Sequence, residues 1–355
     1  MHSEAEVTIV GGGLDFSMHP SVEACRAIRH AKVVFHAGCH EGVARWLADL
    51  AGDADVVDID TGHYQVGQYR PDMYRAMASR VVGAARESGA VVLIEPGSAM
   101  VTDLVTRFVL EAAHGAGLRT RIVAGISSLE HLCIAFGIDP SSGLQTVLAQ
   151  ELVARRIRLS AGLDTVVIQP GYFDTLWHVG WPQSRADRFD ALAETLSLSF
   201  GAHQAMALVR FPMHPGDVTH EFWFELADLH RTVPVMTPLH TLFVPASERG
   251  ERDATFQSRM HVWARSIAFL ETGTDGLPLQ LAPIASNGDL QQIEARLDDD
   301  LVSSSLTLAE AWRRQALARS TARIAFARKA GTDEADPGDA AADRPAAVRH
   351  NTGAQ

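Results

Sequence analysis

Four apolar runs near the start of the chain share one grammar. "VTIVGGG" (7–13), "AKVVFHAG" (31–38), "AVVLIEPGSA" (90–99) and "RTRIVAGISS" (119–128) each carry β-branched residues and close on a turn rich in Gly or Pro. Between them lie stretches of helical spacing, notably 72–88 and 102–116. In the first of these, Tyr74, Met77, Val81 and Ala85 recur every three or four positions, and Pro71 stands where the first turn of a helix tolerates it. Apolar strands alternating with helices require a parallel sheet covered on both faces. The pattern therefore predicts an α/β domain over residues 1–145.

A second block starts near 146. "DTVVIQPG" (164–171), "QAMALVRFP" (204–212), "HEFWFELADL" (220–229) and "HTLFVPA" (240–246) read as strands, with a helix at 185–200 among them. This predicts a second α/β domain over 146–249, richer in strand and mixed in direction. Beyond it, Phe256, Met260, Trp263, Ile267 and Leu270 fall at helical steps, and Asp289 with Gln292 and Thr307 with Glu310 form capping boxes. Residues 250–330 are thus expected to be a helical extension. The tail 331–355 is Ala-, Asp-, Pro- and Gly-rich with almost no large apolar residue, a composition expected to be disordered.

Charge and cysteine usage narrow the function classes. A net charge of −12 over 355 residues argues against general nucleic-acid or anionic-membrane binding, both of which need basic surface. No apolar run approaches the ~18 residues of a membrane span, and the N-terminus lacks a basic signal-peptide region. Three cysteines (Cys25, Cys39, Cys133) do not make a disulfide scaffold and fit a reducing cytoplasm. They form no C-x-x-C pair, the histidines form no H-E-x-x-H motif, and no structural metal is expected.

The glycine loops invite a dinucleotide reading, which fails on detail. Gly11 and Gly13 fit G-x-G-x-x-G/A, but Phe16 stands where a small residue must let helix and strand approach. The ribose-binding acid after the second strand is missing, and no G-K-[ST] follows any glycine run. What remains is loops 11–13, 97–98 and 125–128 at strand C-termini, where open α/β sheets bind ligands. Glycine there either lets backbone approach a ligand or merely turns the chain.

The chain has four tyrosines, and "HYQVGQYRPDMY" (63–74) holds three of them, Tyr64, Tyr69 and Tyr74, around Arg70. Tyr74 falls on the first turn of the predicted helix. Tyr69 reads as packing, His63 as a surface residue and Cys133 as buried packing. Trp177, Trp181, Trp223 and Phe224 are candidates to line a substrate cleft, with core packing the better reading for Trp223.

In family order, "VTIVGGGL", "IEPGSAM" and "VAGISSLEHLCIAFGID" resemble the tetrapyrrole (corrin/porphyrin) methylase superfamily over about residues 5–247. The resemblance implies two α/β domains with a cleft between them for S-adenosylmethionine (SAM), and a homodimer. It implies cofactor contacts from Gly11, Gly13, Pro96, Gly97, Ser98, Met100, Val101, Gly125, Ser127 and Ser128. Within the superfamily, "GHYQVGQYRPDMYRAM" and "GISSLEHLCIAFGIDPSSGLQTVLAQELV" look closer to borosin-type enzymes, which methylate backbone amide nitrogens of peptides. Tyr64, Arg70 and Tyr74 match that family's reaction centre. Thr61 and Pro96 stand where it carries two further tyrosines, and Gly97-Ser98-Ala99 replaces its usual G-D-P or G-H-P.

A peptide nitrogen is a poor nucleophile because its lone pair is delocalised into the carbonyl. Methylating it needs a base at the N–H and positive charge at the carbonyl oxygen. The expectation is that Arg70 polarises the amide or orients a phenol, lowering its pKa, and that Tyr64 or Tyr74 takes the proton. The polar tail argues against self-methylation, so the substrate is expected to be a peptide in trans. The alternatives are a small metabolite or tetrapyrrole substrate, or a SAM- or peptide-binding module without turnover.

Overall fold

The computed structural model describes residues 5–37, 41–179, 185–214, 216–247, 253, 255, 269–272 and 278–282. The first sheet comprises β1 (Val7–Gly11), β2 (Val33–His36), β3 (Asp55–Asp58), β4 (Val91–Glu95) and β5 (Thr120–Val123), in the order β3-β2-β4-β1-β5 and parallel throughout. Its helices are α1 (Val22–Arg29), α2 (Glu41–Ala51), α3 (Arg70–Ser88), α4 (Leu104–Gly115) and α5 (Ser128–Phe136).

Alternation along the strands divides the core in two. Val7, Ile9, Phe35, Val91 and Leu93 pack with α3 and α4, while Val10, Val34, Val92 and Ile94 pack with α1 and α2. Each such side chain, fully buried, contributes about 1.5–3 kcal/mol. The chain therefore leaves β1 and β4, which are neighbours, towards opposite faces. That divergence opens a crevice beyond their carboxyl ends, where Gly11 pairs with Glu95 in the register.

α3 starts as its sequence dictates. Pro71 sits in its first turn, Gly89 closes it in a left-handed conformation (φ 78°), and Met73, Tyr74, Met77, Val81 and Ala85 form its buried stripe. α5 opens on a capping box between Ser127 and Glu130.

The second sheet comprises β6 (Leu144–Leu148), β7 (Asp164–Ile168), β8 (Ala205–Arg210), β9 (His220–Glu225) and β10 (His240–Val244), in the order β6-β7-β10-β8-β9. Only β6 and β7 run parallel, so the sheet is mixed as expected. The expected domain boundary at 145/146 falls inside β6. One face of this sheet packs on α6 (Ala149–Ala154) and α7 (Asp190–Ser197). The other buries Val166, Ile168, Val209, Trp223 and Phe243 against Leu132 and Phe136 of α5, with Leu14 from the loop after β1. α5 thus belongs to both halves and fixes one against the other.

The helical reading of 250–330 is corrected where it can be seen. Phe269–Thr272 and Pro278–Ala282 are strands β11 and β12, paired antiparallel. Leu270 therefore lies in a strand, not in the last turn of a helix. The alternation in "PLQLA" explains it, since it favours a strand over helix continuation. The other helices expected in this segment, and the tail 331–355, lie outside the described residues. Among the described residues no helix is long and apolar enough to cross a membrane.

Candidate active site

Three loops from neighbouring strands meet beyond the sheet. Gly13 and Gly97 exchange backbone hydrogen bonds (Gly13 N to Gly97 O 3.0 Å, Gly97 N to Gly13 O 2.8 Å), and Gly12 N donates to Glu95 O at 2.8 Å. A Cβ on Gly125 would lie 2.3 Å from Gly11 O and 2.5 Å from Gly97 O. Gly11 and Gly125 therefore serve first to let these loops touch one another, while Gly97 takes a left-handed turn (φ 74°). Around them Pro96 and Ser98 are half-buried, Met100 is exposed, and Val101 N bonds Ser98 O at 3.0 Å. Ser127 is buried, and the α5 cap takes both its hydroxyl and its backbone N–H, leaving only its carbonyl for a ligand. Ser128 is the first residue of that helix.

Under this loop cluster lies a carboxyl pair that composition did not reveal. Glu95, only 3% exposed, shares a hydrogen bond with Asp103, the N-cap of α4, and its Oε1 has no partner. Burial, then the Asp103 and Asp60 charges, push the Glu95 pKa well above its ordinary 4.5. Burial raises Asp103 as well. The two acids so close the base of the 96–102 loop through the hydrogen bond they share. A carboxyl with a raised folded-state pKa stabilises the fold below its unfolded pKa and withdraws that stability as pH rises through the folded one. Glu95→Gln is therefore expected to melt like wild type near pH 4 and progressively higher than wild type above it. The gap should read about 2–4 °C per kcal/mol in a chain of this size. Parallel Tm-against-pH curves for the two proteins would refute the buried-acid assignment.

Three of the four tyrosines, Tyr64, Tyr74 and Tyr172, converge beside this pair. Arg70 is the first residue of α3 and only 8% exposed. Its guanidinium stacks 4.1 Å from the centroid of Tyr172 and donates to the Thr175 carbonyl, while its Nε has no acceptor. Tyr74 lies one turn along the helix, on the same face. Tyr64, from the loop after β3, meets Tyr74 edge-on at 6.3 Å and His178 at 5.3 Å. Tyr69 packs on Trp177 at 5.5 Å. Tyr69 and Trp177 bridge two short extended stretches, with Gly67 N donating to His178 O (2.8 Å), His178 N to Gln68 O (2.7 Å) and Arg70 N to Leu176 O (2.9 Å).

Two expectations change here. Arg70 faces Tyr172, a residue of the other sheet domain that carried no signal in the sequence, rather than Tyr64 or Tyr74. Nor does it leave its partner acidified: burial outweighs the guanidinium and holds the Tyr172 pKa above the ordinary phenol value. Tyr64 is pushed up further, by burial and then by Tyr74, Tyr172, Asp60 and Glu95. Burial thus favours the protonated form of Tyr64. His178 is held neutral, its pKa lowered by burial and then by Arg70.

The remaining candidates separate. Trp223 and Phe224 are buried in the second domain's core, Trp177 is 53% exposed beside the centre, and Trp181 lies outside the described residues. Cys133 is half-buried, and His63 is half-buried rather than a surface residue, with Nδ1 unpartnered. Thr61 is tied to Asp58 (Oγ1 to Oδ2, 2.7 Å).

The chain is similar to several known proteins. A relative from Phlebiopsis gigantea, a methyltransferase/ribosomally synthesized type II borosin cyclic peptide precursor, is 23% identical over 250 residues, covering 67% of this chain and 42% of that protein. The chain thus spans well under half of that relative's length. A uroporphyrin-III C-methyltransferase structure from Thermus thermophilus is 20% identical, covers 71% of this chain and 99% of that one, and superposes with a TM-score of 0.47. A structure of uroporphyrin-III C-methyltransferase from the same organism complexed with S-adenyl homocysteine is 19% identical, covers 67% and 91%, and has a TM-score of 0.46. Residues 6–210, more than half of the sequence and spanning β1 to β8, match the tetrapyrrole (corrin/porphyrin) methylases, and the chain belongs to that family.

Proposed function

We propose that the chain is a SAM-dependent methyltransferase that N-methylates backbone amides of a peptide supplied in trans. The observation that carries this reading is the enclosure of Arg70 with Tyr64, Tyr74 and Tyr172 next to the glycine-loop crevice. The loop residues fit the cofactor. Gly97 leaves its side-chain position open, with no atom closer than 3.8 Å, and Met100 offers an exposed apolar side chain. When bound, SAM supplies an electrophilic methyl group.

The protein's own groups act on the amide. The free Nε–H of Arg70 polarises the substrate carbonyl, which shifts the amide towards its imidate form. Tyr64, held protonated, donates a second hydrogen bond to the same oxygen. Tyr74, in its phenolate form, takes the N–H proton and becomes the phenol as the nitrogen gains the methyl group, and the Tyr172 hydroxyl that hydrogen-bonds it steadies that phenolate. Val66, Tyr69, Leu176 and Trp177 ring the centre and bring no cation, and His178 beside them is neutral. That rim suits an uncharged backbone better than a polycarboxylate such as a tetrapyrrole.

Intact-mass measurement tests the reading. The protein is incubated with SAM and with peptides encoded next to its gene. Each transfer is expected to add one methylene mass to a peptide, and fragmentation is expected to place it on backbone nitrogen. Mass gain on the enzyme itself would overturn action in trans. Gain on a small molecule alone would overturn the peptide reading.

A further inference from the structure

One segment of the second domain, 169–178, closes the reaction centre. Gln169 Nε2 donates to the Thr102 carbonyl at 3.3 Å, at the end of the loop that Glu95 and Asp103 bracket. Tyr172 covers the Arg70 guanidinium and hydrogen-bonds Tyr74. Thr175 and Leu176 accept from Arg70, and His178 packs on Tyr64. Gln169, Asp174 and Thr102 are all non-glycine residues at positive φ (52°, 60° and 60°). Such backbone persists only where its surroundings over-determine it.

Arg188 supplies part of that determination from beneath. Its buried guanidinium donates to Phe173 O through Nε (3.0 Å) and Nη2 (2.7 Å), and to Gly171 O through Nη2. The carbonyls immediately before and after Tyr172 are therefore gripped by one side chain. A ring was enough to cover Arg70, and phenylalanine would have provided it. The hydroxyl of Tyr172 reaches Tyr74 instead.

We propose that Tyr172 is a positioning residue of the reaction centre. Its ring fixes the plane of the Arg70 guanidinium, its hydroxyl fixes and supports Tyr74 Oη, and Arg188 holds Tyr172 in that register. The proposal rests on the reading of Arg70 and Tyr74 as the groups that act on the amide. Its test is chosen to fail separately from that reading.

The chain's four tyrosines make the test direct. Protein carrying a carbon-13 label at the phenol carbon of tyrosine gives four signals, assigned by single Tyr→Phe variants. In Tyr172→Phe, an almost isosteric change, the Tyr74 signal is expected to move and the Tyr69 signal to stay. Arg188→Lys is expected to move the Tyr74 signal in the same direction with the fold retained by circular dichroism. With a methylated peptide in hand, Tyr172→Phe is expected to lower kcat about tenfold or more, leave KM for SAM unchanged, and shift the ascending limb of the pH–rate profile, which reports the base, to higher pH. A Tyr74 signal unmoved in Tyr172→Phe overturns the proposal, as does an unshifted pH profile. If the signals move as expected while no peptide is methylated by wild type, the positioning role stands and the peptide reading falls.

Discussion

Replacing Arg70 with alanine is expected to cut methyl transfer by about 100- to 1,000-fold, the usual cost of removing one preorganised donor from a reacting carbonyl. Binding of SAM is expected to stay within about twofold, because no glycine-loop residue touches the guanidinium. The effect is large because Arg70 does several things at once in a place water does not reach. It donates to Thr175, stacks on Tyr172 and keeps Nε free for an acceptor. Lysine restores the charge but neither the plane that lies on Tyr172 nor the fork that divides its donors, so Arg70→Lys is expected to recover little. Alanine also leaves the Thr175 carbonyl without this donor, at about 1–3 kcal/mol of stability. Melting curves on both variants separate that loss from the catalytic one. Tyr74→Phe should lower turnover without that melting penalty, since the ring remains packed on α3. Arg70→Ala turning over within about threefold of wild type, with the substrate confirmed, would remove Arg70 from the mechanism.

The parts legible in the sequence were those dictated by local pattern. β1, β2, β4 and β5 announce themselves by apolar β-branched runs, and α3 by Pro71, its stripe and Gly89. β3 escaped because "DVVD" places two valines between acids, too short a run to stand above its surroundings. β6, "LQTVL", escaped because none of its residues is fully buried and two in five are polar. In the site, Tyr64, Arg70 and Tyr74 were visible because one helix turn and one loop bring them together. Tyr172 and Arg188 were not, because their contacts with the centre depend on how a second sheet is docked through α5. Glu95 was hidden for a different reason. An acid closing an apolar strand usually turns to solvent, and only the Gly11 backbone packed beside it and the loops above keep it buried. The phenol acidity expected from Arg70 failed on a balance the sequence does not contain: burial of both partners outweighed the charge.

Gly125→Ala is expected to be among the most damaging single-carbon additions at the described glycines. The new Cβ would sit 2.3 Å from Gly11 O, 2.4 Å from Gly11 C and 2.5 Å from Gly97 O. These are backbone atoms at the ends of two central strands, so no rotamer change relieves the clash. The loops after β1, β4 and β5 must move apart, breaking the Gly13–Gly97 exchange. A cost of about 3 kcal/mol or more follows from such overpacking, which in a chain of this size lowers Tm by about 6–12 °C. Because the same three loops form the proposed cofactor crevice, SAM binding should be lost with it, as measured by calorimetry well below the new Tm. The control is Gly83→Ala in the middle of α3, where nothing lies within 4 Å of the added carbon. There the better helix propensity of alanine should raise stability by about 0.5–1 kcal/mol. One chemical change thus carries opposite signs at two glycines, decided by what the methyl group meets. If Gly125→Ala melted with wild type and bound SAM normally, the close contact of the three loops would be wrong, and with it the crevice as the cofactor's seat.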